Sequence, residues 1–211
     1  MLKRLVLTVV ILSLVFAAGM AYADDPLYIA FDEVANSQAL TITVNGTAIP
    51  GSVAGNYILS LSNSSTGTPS WTISGYCISG VAASSSFTPY TVVPIGTSSP
   101  AWEKEIAWIL GQGYTTGTPN AAEAQVAVWS LAFPNLWSET FSYSASAAFT
   151  TEVNNILTAA ASGGFTPGYA LFETLDTAQD YAGPVPISNS LLLLGSGLMG
   201  LAGLRWRFRK S

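Results

Sequence analysis

Two uncharged apolar stretches bracket this 211-residue chain, and they fix how much of it is left to fold as a domain. Near the start, Lys3-Arg4 precede an apolar run over residues 5–18, and Ala21-Tyr22-Ala23 follows just before Asp24-Asp25. A basic n-region, a short apolar core and an A-x-A site are the parts of a secretory signal peptide, here residues 1–23. The core is short for a bilayer span, so cleavage rather than retention is expected. At the far end, residues 187–204 carry no charge and would run about 27 Å as a helix. Arg205, Arg207, Arg209 and Lys210 follow at once. The positive-inside rule then predicts a transmembrane helix with a cytoplasmic basic tail and the preceding domain outside. Residues 24–183 remain for one modest extracytoplasmic domain.

Charge placement narrows what that domain can bind. All twelve acidic residues lie between Asp24 and Asp180, where the only base is Lys104. Such a surface repels phosphate backbones, so nucleic acid is not an expected partner. The chain has no histidine, which removes Ser-His-Asp and Cys-His catalysis and the usual zinc sites, and no metal or cofactor is expected. Asp24-Asp25 and Asp32-Glu33 lack the ligand spacing of a calcium loop. Glu103 and Glu105 are two apart on a predicted helix and do not face each other, so they make no glycosidase pair. Asn45-Gly46-Thr47 and Asn63-Ser64-Ser65 match the glycosylation sequon, a short pattern that is weak evidence by itself.

The first half of the domain is patterned for strands. Leu40-Thr41-Ile42-Thr43-Val44 alternates and runs into Asn45-Gly46, a hairpin turn signal. Residues 57–61 and 71–78 read as further strands, with Ser/Thr-rich solvated loops at 62–70 and 82–99. The second half turns helical. Ser99-Pro100 opens a helix that shows Trp102, Ile106, Ile109 and Leu110 on one face and ends at Gly111. Asn120 with Glu123 forms a capping box for the run 121–133. A third helix carries Phe149, Val153, Ile156, Leu157 and Ala160 on one side and stops at Gly163-Gly164. Residues 169–175 read as a returning strand. The expected class is α+β: a β-rich sandwich or barrel with a helical insertion, plus an N-terminal signal peptide and a C-terminal transmembrane helix.

Two side chains sit where their chemistry needs a reason. Cys77 is the only cysteine of an exported chain, which leaves three readings open: a buried small hydrophobe, an intermolecular disulfide, or a reactive thiol. Gln125 falls on the apolar stripe of its helix with Val128, Trp129 and Ala132, and an amide there is costly unless it finds a partner or reacts.

The order of Val185-Pro186, a short apolar helix and a basic tail, over residues 184–211, is similar to the PEP-CTERM sorting signal of Gram-negative bacteria. Ile187 stands where that signature has Glu and Ser188 where it has its second Pro, so this is a divergent copy. The resemblance implies an exosortase-type processing enzyme as partner. It also implies an inner-membrane-tethered precursor whose mature form reaches the cell surface or extracellular matrix.

Tyr76-Cys77-Ile78 and the run Gln125, Ala127, Val128, Trp129 resemble the two motifs of thioester domains of bacterial surface proteins, with Ala124 where the family often has Thr. That resemblance implies an internal thioester from the Cys77 sulfur to the Gln125 side-chain carbonyl, formed with loss of ammonia. Tyr76, Trp108 and Trp129 would shield it from water. Attack by an amine on a target surface or polysaccharide matrix would make one covalent attachment per molecule, adhesion without turnover. The same two segments also allow an inert fold, with Gln125 bonding a backbone carbonyl and Cys77 an unreactive core thiol. The chain would then be a non-reactive structural protein of the envelope or biofilm matrix.

Overall fold

The computed structural model describes residues 27–66, 68–80, 83–114, 121–174 and 178–185. The expected leader, Pro186, the membrane helix with its basic tail and the Asn120 cap lie outside these residues. The longest elements are two strands of one hairpin, β1 (Leu27–Val44) and β2 (Thr47–Ser62), paired antiparallel from Tyr28↔Ser62 to Val44↔Thr47. Asn45 and Gly46 form its turn with φ of 50° and 79°. Both values are positive, as a two-residue type I′ turn requires and as Asn-Gly tolerates best. Next come β3 (Trp71–Cys77) and β4 (Thr88–Pro94). The insertion holds α1 (Ala101–Gly111), α2 (Ala121–Leu136), the short β5 (Phe141–Ser144) and α3 (Ala147–Ser162). Two strands return, β6 (Tyr169–Thr174) and β7 (Tyr181–Pro184). The α+β expectation holds: a sheet-rich fold with its helices inserted between β4 and β6.

The ladders close on themselves. Following neighbours gives β1-β2-β3-β7-β6-β4 and back to β1, every pair antiparallel. A ring of alternating directions needs an even number of strands, and six satisfy it. Closure pairs strand edges that would otherwise recruit other chains. β5 attaches beside this ring, to Thr41–Val44 at the far half of β1. Registers place Leu59, Leu61, Cys77, Tyr90, Phe172, Tyr181, Leu27 and Ile29 on one face, and all are buried. Tyr181 meets Tyr57 and Tyr90 across intervening strands at ring separations of 5.9 and 6.0 Å, so that face is the interior of the ring.

α2 is buried on nearly every side, from Ala121 to Phe133. A helix apolar all round belongs inside a core rather than on a surface. It packs on β1, β2, β3 and β5, while α1 packs on β6 and β7. Ser146 caps α3, its Oγ accepting from the Phe149 N–H at 3.2 Å.

Four expectations need correction. Residues 82–99 are not a continuous solvated loop, because β4 lies within them. Its Thr-Val-Val run is framed by Pro89 and Pro94, which sit at the strand's ends where prolines are tolerated. Ser99 does not cap α1: Pro100 takes the cap position, and Ser99 Oγ accepts from the Gly96 N–H instead. α2 continues past Phe133 through Pro134 to Leu136. The folded unit also extends past residue 183, since Pro184 belongs to β7 and the Val185 N–H donates to the Gly168 carbonyl at 2.8 Å.

Gly75 lets β3 and β7 close. A Cβ there would stand 2.5 Å from the Ala182 carbonyl oxygen, part of a backbone that cannot swing aside. Gly75→Ala should lower unfolding free energy by about 1–3 kcal/mol in chemical denaturation, the usual cost of overpacking. A cost below about 0.5 kcal/mol would mean that this approach does not constrain the ring.

Candidate functional site

The candidate site forms where β3 ends. On its β7 side, the Ile78 N–H donates to the Asp180 carbonyl at 3.0 Å. Adjacent residues of an antiparallel strand point their backbone groups to opposite edges, so those of Cys77 face the β2 side. There β2 has already turned away, its last pair with β3 being Tyr57↔Gly75. Gln125 of α2 fills the gap. Its Oε1 accepts from the Cys77 N–H at 3.0 Å, and its Nε2 donates to the Cys77 carbonyl at 2.7 Å. The carboxamide thus replaces one peptide unit of missing strand, and with its oxygen and its nitrogen both engaged the side chain is fixed. One helical turn on, Trp129 Nε1–H donates to Cys77 Sγ at 3.5 Å. Just past α2, Trp137 Nε1–H donates to the Ile78 carbonyl at 3.2 Å.

The two predicted site residues do meet, but through the backbone of Cys77 rather than its sulfur. The side chain against the sulfur is Gln179, just before β7, whose Nε2 lies 2.6 Å from Cys77 Sγ. That is at the short end even for N–H···O bonds, although sulfur is the larger atom. The thiol itself donates to the Ser79 carbonyl at 2.8 Å, which leaves its lone pairs toward Gln179 and Trp129. Gln179 is held from behind: Tyr90 Oη–H donates to its backbone carbonyl at 2.6 Å. The next residue is held as well, with the Asp180 N–H donating to Ser79 Oγ at 2.9 Å and Asp180 Oδ1 accepting from the Thr174 N–H at 2.7 Å. Gln179 Oε1 is buried and has no hydrogen-bond partner among the described residues.

The expected shell also changes. Trp129 touches the sulfur. Tyr76 is fully buried, but strand alternation turns it to the opposite face from Cys77, toward Tyr114. Trp108 packs its indole against Gly163 at the end of α3, where a glycine leaves the space it occupies. The groups near the thiol are instead Tyr57, Tyr90 and Tyr181, each close enough that a thiolate at Cys77 would oppose ionisation of its hydroxyl. Cys77 and Gln125 are wholly shielded from solvent, and Gln179 nearly so.

Burial sets the electrostatics. Desolvation pushes the Cys77 thiol up to about 12, outweighing the hydrogen bonds from Trp129 and Gln179 and at Ser79. The Tyr57, Tyr90 and Tyr181 hydroxyls are driven above their usual range by the same cause and stay protonated. Asp180 is raised by burial against the opposing hydrogen bond from Thr174. Among the described residues no group of three His, Cys, Asp or Glu side chains gathers as a metal site would require. In the same residues no helix is long and apolar enough to cross a membrane.

Gln179 escapes a reading of one dimension. Four glutamines stand in the chain, at 38, 112, 125 and 179, and only Gln125 shares an apolar helical stripe. Gln179 precedes a four-residue strand whose pairing with β3 no local pattern announces. Comparison with family models, curated proteins and solved structures returned no match.

Gln125→Met keeps the side chain's length but leaves a buried N–H and a buried C=O unpaired. It should cost about 2–5 kcal/mol of stability, read by denaturant titration. A neutral result would show that water replaces the clamp. A second outcome concerns pH. Because Asp180 holds its proton more tightly folded than unfolded, the native state is favoured below the usual 3.8 and loses that advantage as pH climbs through the raised value. Asp180→Asn keeps an acceptor for Thr174 without the charge. Its melting temperature should exceed that of the parent at neutral pH, and the two should converge below 3.8.

Proposed function

We propose that the chain is an exported, membrane-sorted bacterial surface protein that attaches covalently to amine-bearing targets through an internal thioester between Cys77 and Gln179. The observation that carries this reading is the 2.6 Å approach of Cys77 Sγ to the Gln179 carboxamide inside a dry chamber. Gln125 then acts as a positioning residue, holding the Cys77 backbone so that the sulfur faces its electrophile.

The chemistry follows from what surrounds the two groups. A thiol raised to about 12 supplies almost no thiolate at neutral pH. Bond formation from sulfur to Gln179 Cδ therefore has to be accompanied by loss of the thiol proton, held at rest on the Ser79 carbonyl, to Nε2, which becomes basic only as attack on Cδ ends its amide conjugation. The C–N bond then breaks and ammonia leaves, so no outside base is needed in a chain without histidine. Held at contact, the pair reacts as if at an effective concentration on the order of 10⁵–10⁸ M. In the reverse sense, a primary amine adds to Cδ, the C–S bond breaks, and the sulfur takes a proton from the incoming nitrogen. The products are an amide on Gln179 and a free Cys77 thiol. Each molecule reacts once.

Two features of composition support the reading. Lys104 is the only lysine between Asp24 and Asp180, and its Nζ is engaged with the Thr97 carbonyl at 3.4 Å, which limits self-attack. The acidic domain also suits targets that carry protonated amines. A non-reactive matrix protein with the same fold would need neither the compressed sulfur–carboxamide contact nor the orphaned Gln179 oxygen.

Intact mass decides between them. The purified protein should weigh one ammonia less than its composition. Methylamine should add one equivalent to Gln179 and release a titratable thiol. Cys77→Ala and Gln179→Ala should each abolish the deficit, whereas Gln125→Met should keep it in the molecules that fold. Full mass with a free Cys77 thiol in freshly folded protein would sink the thioester. A deficit that follows Gln125 and not Gln179 would reassign the bond.

A further inference from the structure

Resting on the thioester reading above, we infer that the Tyr181 hydroxyl is the donor that stabilises the oxyanion on Gln179 Oε1 as the thioester forms and as it is attacked. Both steps pass through a tetrahedral carbon whose former carbonyl oxygen bears negative charge, and a donor aimed at that oxygen is worth the most in a dry site. The inference comes from accounting for every donor in the chamber. Trp129 Nε1–H is committed to the sulfur, and Gln125 Nε2 to the Cys77 carbonyl. Tyr57 donates to the Val53 carbonyl at 3.2 Å while its oxygen lies against the Gln179 amide, and Tyr90 donates to the Gln179 backbone carbonyl at 2.6 Å. Tyr181 alone of these has a buried hydroxyl with no partner among the described residues, and Gln179 Oε1 is the chamber's buried acceptor in the same condition.

Two orphans of opposite kind in one chamber are informative, because a buried polar atom left unpaired costs about 1–3 kcal/mol. The register explains why they share it. Tyr181 lies directly opposite Cys77 in the β3–β7 ladder. Since the Cys77 backbone bonds go to Gln125 on the other edge, this is a non-hydrogen-bonded pair, the type that brings side chains closest. The Tyr57 and Tyr90 rings, 5.9 and 6.0 Å away, hold the Tyr181 ring from two sides. Bonding of sulfur to Cδ would draw the carboxamide toward Cys77, the residue that Tyr181 faces across the ladder. Tyr181 keeps its proton throughout and supplies only a hydrogen bond; no further reactant enters.

The test uses the full chain with methylamine as probe. Tyr181→Phe should slow aminolysis by about 10²–10³-fold, the loss seen when one oxyanion donor is removed. The thioester carbonyl stretch should move to higher wavenumber in the variant, a shift that a packing role would not produce. Tyr57→Phe, whose hydroxyl also neighbours the Gln179 amide, is the control: it should lose stability with its Val53 bond but change the rate by no more than a few fold. In a Cys77→Ala background, where no chemistry occurs, Tyr181→Phe should melt no lower than its parent, because the hydroxyl it removes has no partner. If that background variant is destabilised, Tyr181 is structural and the inference fails. An aminolysis rate within about twofold of the parent, on protein that carries the mass deficit, overturns Tyr181 while leaving the thioester intact. A parent chain without the deficit overturns both.

Discussion

The two hydrogen bonds between the Gln125 carboxamide and the backbone of Cys77 are the constraint on which the rest of the site depends. They lie where β2 leaves β3, at a point that would otherwise expose an N–H and a C=O inside the core. Leaving both unpaired would take a sizeable part of the stability of a domain this size. By covering them from a helix rather than a strand, the fold brings α2 against the end of β3 and carries Trp129 and Trp137 with it. The sulfur is therefore turned into the ring, toward Gln179, by an interaction that never touches the sulfur.

This arrangement shows why part of the site was legible and part was not. Gln125 and Trp129 are four apart on one helix, and a polar amide on that stripe announces itself by its cost. The Asn45-Gly46 turn, the face of α3 and the hydrophobic alternation around Leu40 and Leu59 are likewise local patterns, and each lies where its pattern predicts. What escaped are features made by pairing across distance. β4 hides in a run of Thr, Val and Pro that only its neighbours turn into a strand, and β7 is four residues long. Gln179 inherits that obscurity, since its role depends on a register between Cys77 and Tyr181. Trp108 illustrates the opposite error: a large aromatic near the motifs in sequence that packs against Gly163 instead.

The proposed thioester would have to reconcile two requirements that usually conflict. A stored electrophile must be kept from water, yet the same exclusion makes its thiol reluctant to ionise. The 2.6 Å contact of the sulfur with Gln179 Nε2 keeps both partners of the proposed bond together, so burial would protect such a bond without preventing its formation. The tyrosines are suited to that setting. Their rings supply apolar wall, and their hydroxyls stay protonated across the physiological range, giving polarity without charge.

The closed ring also imposes a timetable. β7 is the last of the described strands to emerge during synthesis, and it fits between β3 and β6, both already made. Until it arrives, Cys77 lacks its cross-strand neighbour, and Gln179, 102 positions downstream, is absent from the sulfur. Long-range pairings of this kind form late because the chain between them must first be ordered. Closing the ring and delivering the carboxamide are thus the same event. If the proposed export and thioester hold, a molecule crossing the membrane unfolded would carry an ordinary thiol and an ordinary amide, and would arm itself only where it finishes folding.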